Sequence, residues 1–125
     1  MAKPLSPKQQ LGLAAENAAS HYLQQQGLRL ITRNFHAKQG EIDLIMLDKN
    51  TLVFVEVRFR SRSEFGDAAA SVTRNKQQKI IATAYYFLHH HPQYLNQAAR
   101  FDVVAIHPEG QEWHINWIPA AFLAA

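Results

Sequence analysis

Two short stretches carry carboxylates in a pattern that suits metal chemistry: Gly40-Glu41-Ile42-Asp43-Leu44-Ile45 and Phe54-Val55-Glu56-Val57-Arg58-Phe59-Arg60. Polar and apolar residues alternate in both, as they do in strands. Asp48-Lys49-Asn50-Thr51 separates them as a polar turn. With Lys49-Asn50 as a two-residue hairpin loop, Asp48 faces Thr51 and Leu47 faces Leu52. A four-residue loop closed by Leu47 and Leu52 gives the same register. Further down the ladder Asp43 faces Glu56, and Glu41 faces Arg58. Directly opposed residues share a face, with Cβ atoms about 4.5–5.5 Å apart.

Like charges opposed in this way destabilise a sheet, and two close carboxylates do not both ionise cheaply without a positive charge between them. A divalent ion resolves the conflict. Mg²⁺ is held by one or two carboxylates, water and substrate phosphate oxygens. The other face of the hairpin is apolar, with Ile42, Leu44 and Met46 against Val57, Val55 and Val53, and is expected to be core. The plainer alternative is a solvated ladder in which Arg58 pairs with Glu41.

At 125 residues the chain suits one domain, 1–125, with a real core. Cysteine is absent, which removes disulfides and thiolate metal sites and fits a reducing cytoplasm. The start, Met1-Ala2-Lys3-Pro4-Leu5-Ser6-Pro7, lacks the apolar run of a signal peptide, and no stretch approaches a membrane span. The expectation is a cytoplasmic protein with no membrane partner. A net charge of +3 is too mild to mark a nucleic-acid binder. Its distribution says more: Arg58, Arg60, Arg62, Arg74, Lys76 and Lys79 fall in one window, opposed only by Glu64 and Asp67. That is either a patch for phosphate backbones or a solvated loop.

The elements that must position these groups follow from caps and periodicity. Ser6, Pro7 and Gln9 open a first helix with a capping box. Leu11, Ala15, Ala18, Ala19, Tyr22 and Leu23 form its buried stripe, and Gly27 ends it. Glu16 lies at the edge of that stripe, either snorkelling to water or reaching the hairpin acids as a further ligand. Residues 28–35 read as a first strand and Lys38-Gln39-Gly40 as a turn. Residues 60–73 form a long irregular segment that leaves the sheet just after the charged strand end. Thr73 caps a second helix whose buried face is Ile81, Ala84, Tyr85 and Leu88. Lys76 and Lys79 in its first turns oppose the helix dipole, which suits a bound anion.

His89-His90-His91 closes that helix. Neighbours on a helix point about 100° apart, so these three cannot chelate together. Residues 100–106 read as another strand, Pro108-Glu109-Gly110 as a turn, and Trp113, Ile115 and Trp117 alternate on a last strand. The tryptophans either pack as core or stack bases. The apolar tail, 119–125, is expected to pack.

The order helix, three-strand meander, helix, strand, strand, with Asp43 followed by Glu56-Val57-Arg58, resembles the restriction-endonuclease-like core of the PD-(D/E)xK nucleases. A closer resemblance is to the YraN family of small bacterial endonuclease-like proteins. It rests on Gly12, Glu16 and Tyr22, Arg33-Asn34, residues 40–45 and 54–58, Phe65-Gly66, Lys76, and Arg100-Phe101-Asp102-Val103-Val104.

The resemblance implies an α/β fold, a central mixed sheet flanked by helices in αβββαββ order. It implies Asp43 and Glu56 as metal ligands, joined by the backbone carbonyl of Val57, with Glu16 as an assisting acid. Arg58 stands where the superfamily carries lysine. Arginine supplies charge and a bidentate grip on phosphate but holds its proton too firmly to act as a base. Lys76 or Lys79 is a candidate substitute.

The expected function is a Mg²⁺- or Mn²⁺-dependent endonuclease that hydrolyses nucleic-acid phosphodiesters, with structured DNA as substrate and a homodimer as a compatible assembly. Asp43, Glu56, Arg58 and Glu16 would form the catalytic group. Arg60, Arg62, Arg74, Lys76 and Lys79 would follow the backbone. The alternative is a nuclease-fold module that has lost catalysis and binds nucleic acid or an adaptor.

Overall fold

Capping chemistry sets where each helix begins and ends. In the computed structural model, which describes residues 3–59 and 71–124, α1 (Pro7–Gln25) starts with the Ser6–Gln9 capping box. At its end Gly27 takes a φ of +103°. Leu28 N–H then bonds Leu23 carbonyl at 3.1 Å and Gly27 N–H bonds Gln24 carbonyl at 3.0 Å. This is a Schellman closure, and Leu23 and Leu28 share the same core cluster. Thr73 caps α2 (Arg74–His90) by accepting from Lys76 N–H. The histidines at its end bond their own helix: His90 Nδ1 lies 2.9 Å from Tyr86 carbonyl and His91 Nδ1 2.8 Å from Phe87 carbonyl.

Five strands form one open mixed sheet in sequence order: β1 (Arg29–Ala37), β2 (Gly40–Asp48), β3 (Thr51–Phe59), β4 (Ala98–Glu109) and β5 (Glu112–Phe122). Neighbours are antiparallel except β3 and β4, which run parallel across the segment that contains α2 and a short 3-10 helix, Pro92–Tyr94. The expected αβββαββ order holds. Among the described residues, no helix is long and apolar enough to cross a membrane.

Both faces of the sheet are buried along its three central strands, β2, β3 and β4. Ala19 and Leu23 of α1 pack with Leu44, Met46, Val53, Val55 and Val104. On the other side Ile80, Ala84 and Phe87 of α2 pack with Ile45, Leu52, Phe54, Phe101 and Val103. The acid-bearing face is therefore a second core over most of its length, and the solvated-ladder alternative fails there. Ile42, expected beside Leu44 and Met46, belongs instead to the α2 cluster. The alternation breaks at Asp43, between the paired Arg33–Leu44 and Phe35–Ile42. The residue across from it, Asn34, sits in the left-handed region at φ 51°, a conformation that asparagine tolerates.

Two other expectations need correction. Leu11 is 40% exposed rather than buried, because the first turns of α1 lie ahead of its packed stretch, Ala15 to Leu23. Tyr85 is 61% exposed; α2 is rotated so that Thr83 and Phe87 face the sheet. Gly40 permits that rotation: a Cβ there would stand 3.3 Å from Thr83 Oγ1, at a φ of +154° that side chains rarely adopt. The apolar tail packs as expected as far as Phe122: from Pro119 it is strand, and Phe122 stacks on Phe101 at 5.0 Å.

Candidate functional site

The hairpin register holds as expected for five pairs, from Asp48–Thr51 to Leu44–Val55, and no regular pairing continues beyond. The reason lies in the neighbours. β2 stays with β1 through Ile42–Phe35 and Glu41–His36. β3 stays with β4 through Glu56–Val103, Val57–Val104 and Arg58–Ala105. The sheet thus opens between its second and third strands, and Asp43 and Glu56 stand at the fork.

Asp43 bridges the opening with its side chain. Its Oδ2 accepts the Val57 N–H at 2.7 Å, replacing a backbone acceptor that the divergence removes. It also faces the Glu56 carboxyl, whose contact and charge both act against its ionisation. Burial, then contact with Glu56, pushes the Asp43 carboxyl up to about 8, while the Val57 N–H works in the opposite direction. Glu56 is only 9% exposed. Lys76 reaches it from α2, with Nζ 3.8 Å from Oε2.

Glu16 approaches from α1 on the other side of the sheet. Burial raises its carboxyl, and the charge of Asp43 raises it further. Arg33, 3.3 Å from Glu16 Oε1, and the Asn34 side chain counter this. Three carboxylates from α1, β2 and β3 therefore share one electrostatic neighbourhood. All offer hard oxygen donors, the set that suits Mg²⁺ or Mn²⁺. A divalent cation would relieve the crowding of acids that raises the Asp43 carboxyl.

The remaining expected residues divide. Arg58 is half-buried, and its Nε has no hydrogen-bond partner. Glu41, expected opposite it, pairs instead with His36 at 3.3 Å, because Glu41 follows β1 after the fork. Val57, the expected carbonyl ligand, is the residue whose N–H holds Asp43. Arg74 and Lys79 are exposed on the first turns of α2. Arg60 and Arg62 lie outside the described residues, as does most of the irregular segment that begins at residue 60. Trp117 is not available to bases: its Nε1 donates to Asp102 at 2.9 Å and its ring meets Tyr22 edge-on at 6.5 Å. Sequence pattern alone gives Arg33 and Asn34 no role. Their signal was an asparagine next to a cation, directly across from the acidic strand.

Residues 15–106 match the model of the Uncharacterised protein family UPF0102. The chain belongs to this family. A UPF0102 protein of Psychrobacter sp. (strain PRwf-1) is 48% identical, covering 96% of this chain and 92% of its own. One from Pseudomonas syringae pv. syringae (strain B728a) is 49% identical over 94% and 96%. One from Alcanivorax borkumensis is 45% identical over 94% and 95%. The family match spans Glu16, Asp43, Glu56, Arg58 and Lys76, so the fork lies inside the family's matched region.

Proposed function

We propose that this UPF0102 chain is a metal-dependent nuclease that hydrolyses nucleic-acid phosphodiesters, with structured DNA as its substrate. The observation that carries the reading is the pairing of Asp43, held by the Val57 N–H, with the buried Glu56 at the point where β2 and β3 part. A purely structural sheet has no use for that arrangement. The element order and the parallel β3–β4 connection also support a restriction-endonuclease-like core.

Asp43 and Glu56 would hold Mg²⁺ or Mn²⁺, with Glu16 as the outer acid and the Val57 carbonyl as the backbone ligand. Such an ion supplies Lewis acidity and lowers the pKa of a bound water. The chain's own groups do the rest. Arg58, with an unpaired Nε, grips a phosphate oxygen. Lys76 supplies from α2 the lysine charge that the superfamily carries on the strand, and its Nζ is already beside Glu56. Arg74 and Lys79 extend the positive edge along the incoming backbone.

Purified protein should cut branched or nicked DNA in Mg²⁺ or Mn²⁺, and Asp43→Ala or Glu56→Ala should abolish the cutting. Equal cleavage by wild type and either variant would refute the assignment. Arginine at position 58 favours a second reading, a binding module without catalysis. In that case Mn²⁺ titration gives no binding heat at neutral pH, and DNA affinity depends on salt but not on metal.

A further inference from the structure

The far end of the β4–β5 hairpin carries a second group of ligating side chains, and the strand register explains how it forms. His107 pairs with His114 across the two strands, and Glu109 pairs with Glu112 beside the turn at Gly110. Residues two apart on a strand share a face, and so do directly opposed residues. His107, Glu109 and His114 therefore project to one side. The imidazole rings stack 5.1 Å apart at 13°. His114 Nδ1 lies 3.0 Å from Glu109 Oε2. One ligating atom from each of the three lies within 4.8 Å of the other two.

From this geometry we infer that His107, Glu109 and His114 form a binding site for a borderline-soft divalent ion, Zn²⁺ above all. Two imidazoles and one carboxylate are a donor set that zinc accepts at about 2.0–2.2 Å, with a fourth position left to solvent. A modest inward rotation of the exposed His114 and Glu109 side chains closes the set around an ion. His107 is only 5% exposed, and its Nδ1 lies 3.0 Å from the Pro108 carbonyl. A backbone contact on one ring nitrogen is the kind of second contact that typically orients a metal-binding histidine. Independently, Glu109 stands opposite Glu112. Like charges at directly paired positions weaken a hairpin, and a cation at Glu109 removes that conflict. The nitrogen donors separate this site chemically from the all-oxygen fork, where Mg²⁺ fits.

The test is calorimetric titration of EDTA-treated full-length protein with Zn²⁺. The expected result is one bound ion, with affinity lowered by about tenfold or more in both His114→Gln and Glu109→Gln. Both substitutions are at exposed positions, so the variants should remain folded. Binding should fall in acid, because protons compete for the imidazoles. Asp43→Asn should bind Zn²⁺ as wild type does, as should the double variant His89→Asn/His90→Asn. Millimolar Mg²⁺ should not displace the ion. Unchanged affinity in His114→Gln and Glu109→Gln overturns the inference. So does loss of binding in Asp43→Asn or in the His89/His90 variant, or an absence of binding heat. None of these results bears on DNA cleavage, so this site and the nuclease reading stand or fall separately.

Discussion

Asp102 and Asp43 are both buried in the same sheet, and their surroundings are opposites. Asp102 on β4 is fully buried and amply bonded. Arg100 Nε donates to it at 3.0 Å, Trp117 Nε1 at 2.9 Å and the Ala120 N–H at 2.9 Å. Arg100 is shared with Asp48, 3.1 Å away. The contacts also hold β5 in place where Ala120 takes a strained φ of 50°. Asp43 receives one backbone N–H and faces another acid. Burial of a carboxylate is thus no sign of function by itself. The sign is burial without enough positive charge and hydrogen-bond donors to hold the ionised form.

The largest effect should come from the satisfied aspartate. Asp102→Ala leaves the Trp117 and Ala120 donors unpaired and Arg100 with only Asp48. Breaking a buried pair of this kind costs about 3–5 kcal/mol, which urea denaturation would measure. A loss under about 1 kcal/mol would show that Asp102 is no anchor, and the contrast with Asp43 would lose one side.

The unsatisfied aspartate should behave in the opposite sense. The folded state raises the Asp43 carboxyl from its ordinary value to about 8. Folding therefore favours the protonated form. The stability this contributes is complete below about pH 3.9, the unfolded value, and is lost as pH rises through about 8. Glu16, also raised, adds to the fall. Asp43→Asn should flatten the decline and, at pH 8 without metal, stabilise the protein by about 1–3 kcal/mol. Melting temperatures from pH 5 to 9 would test this. Mg²⁺ or Mn²⁺ should restore wild-type stability at pH 8, and with greater effect as pH rises, but should not help the variant. A wild-type melting temperature that rises over this range would mean that Asp43 ionises freely.

The sequence revealed one of these environments better than the other. The hairpin register was legible because a strand's side-chain period of two and a polar turn leave few alternatives. The helix caps were legible from Ser6, Gln9, Gly27 and Thr73. The fork was not, because it depends on β2 following β1 while β3 follows β4, and local pattern carries no record of competing partners. The rotation of α2 was missed for a related reason. Ile81, Ala84, Tyr85 and Leu88 make as plausible an apolar stripe as Ile80, Ala84 and Phe87, and the close approach of Thr83 to Gly40 favours the second. Asp102 reads as one polar residue in an apolar strand until Arg100, Trp117 and Ala120 are brought to it. His107 and His114 become neighbours only once the β4–β5 turn is placed at Gly110.

The smallest effect separates contact from field. Glu41 is an exposed acid on the same strand as Asp43, and its charge raises the Asp43 carboxyl from a distance, the weakest of the influences on it. Its own partner, His36, is at the surface, where such pairs contribute little. Glu41→Gln should change stability by no more than about 0.5 kcal/mol at neutral pH. Removing the negative charge makes ionisation of Asp43 easier, so the fall in melting temperature with pH should begin slightly lower on the scale. If Glu41→Gln instead stabilised the protein at pH 8 as much as Asp43→Asn, the general negative field of β2 would control Asp43, and contact with Glu56 would not. The fork would then be a consequence of net charge rather than a site built from two opposed carboxylates.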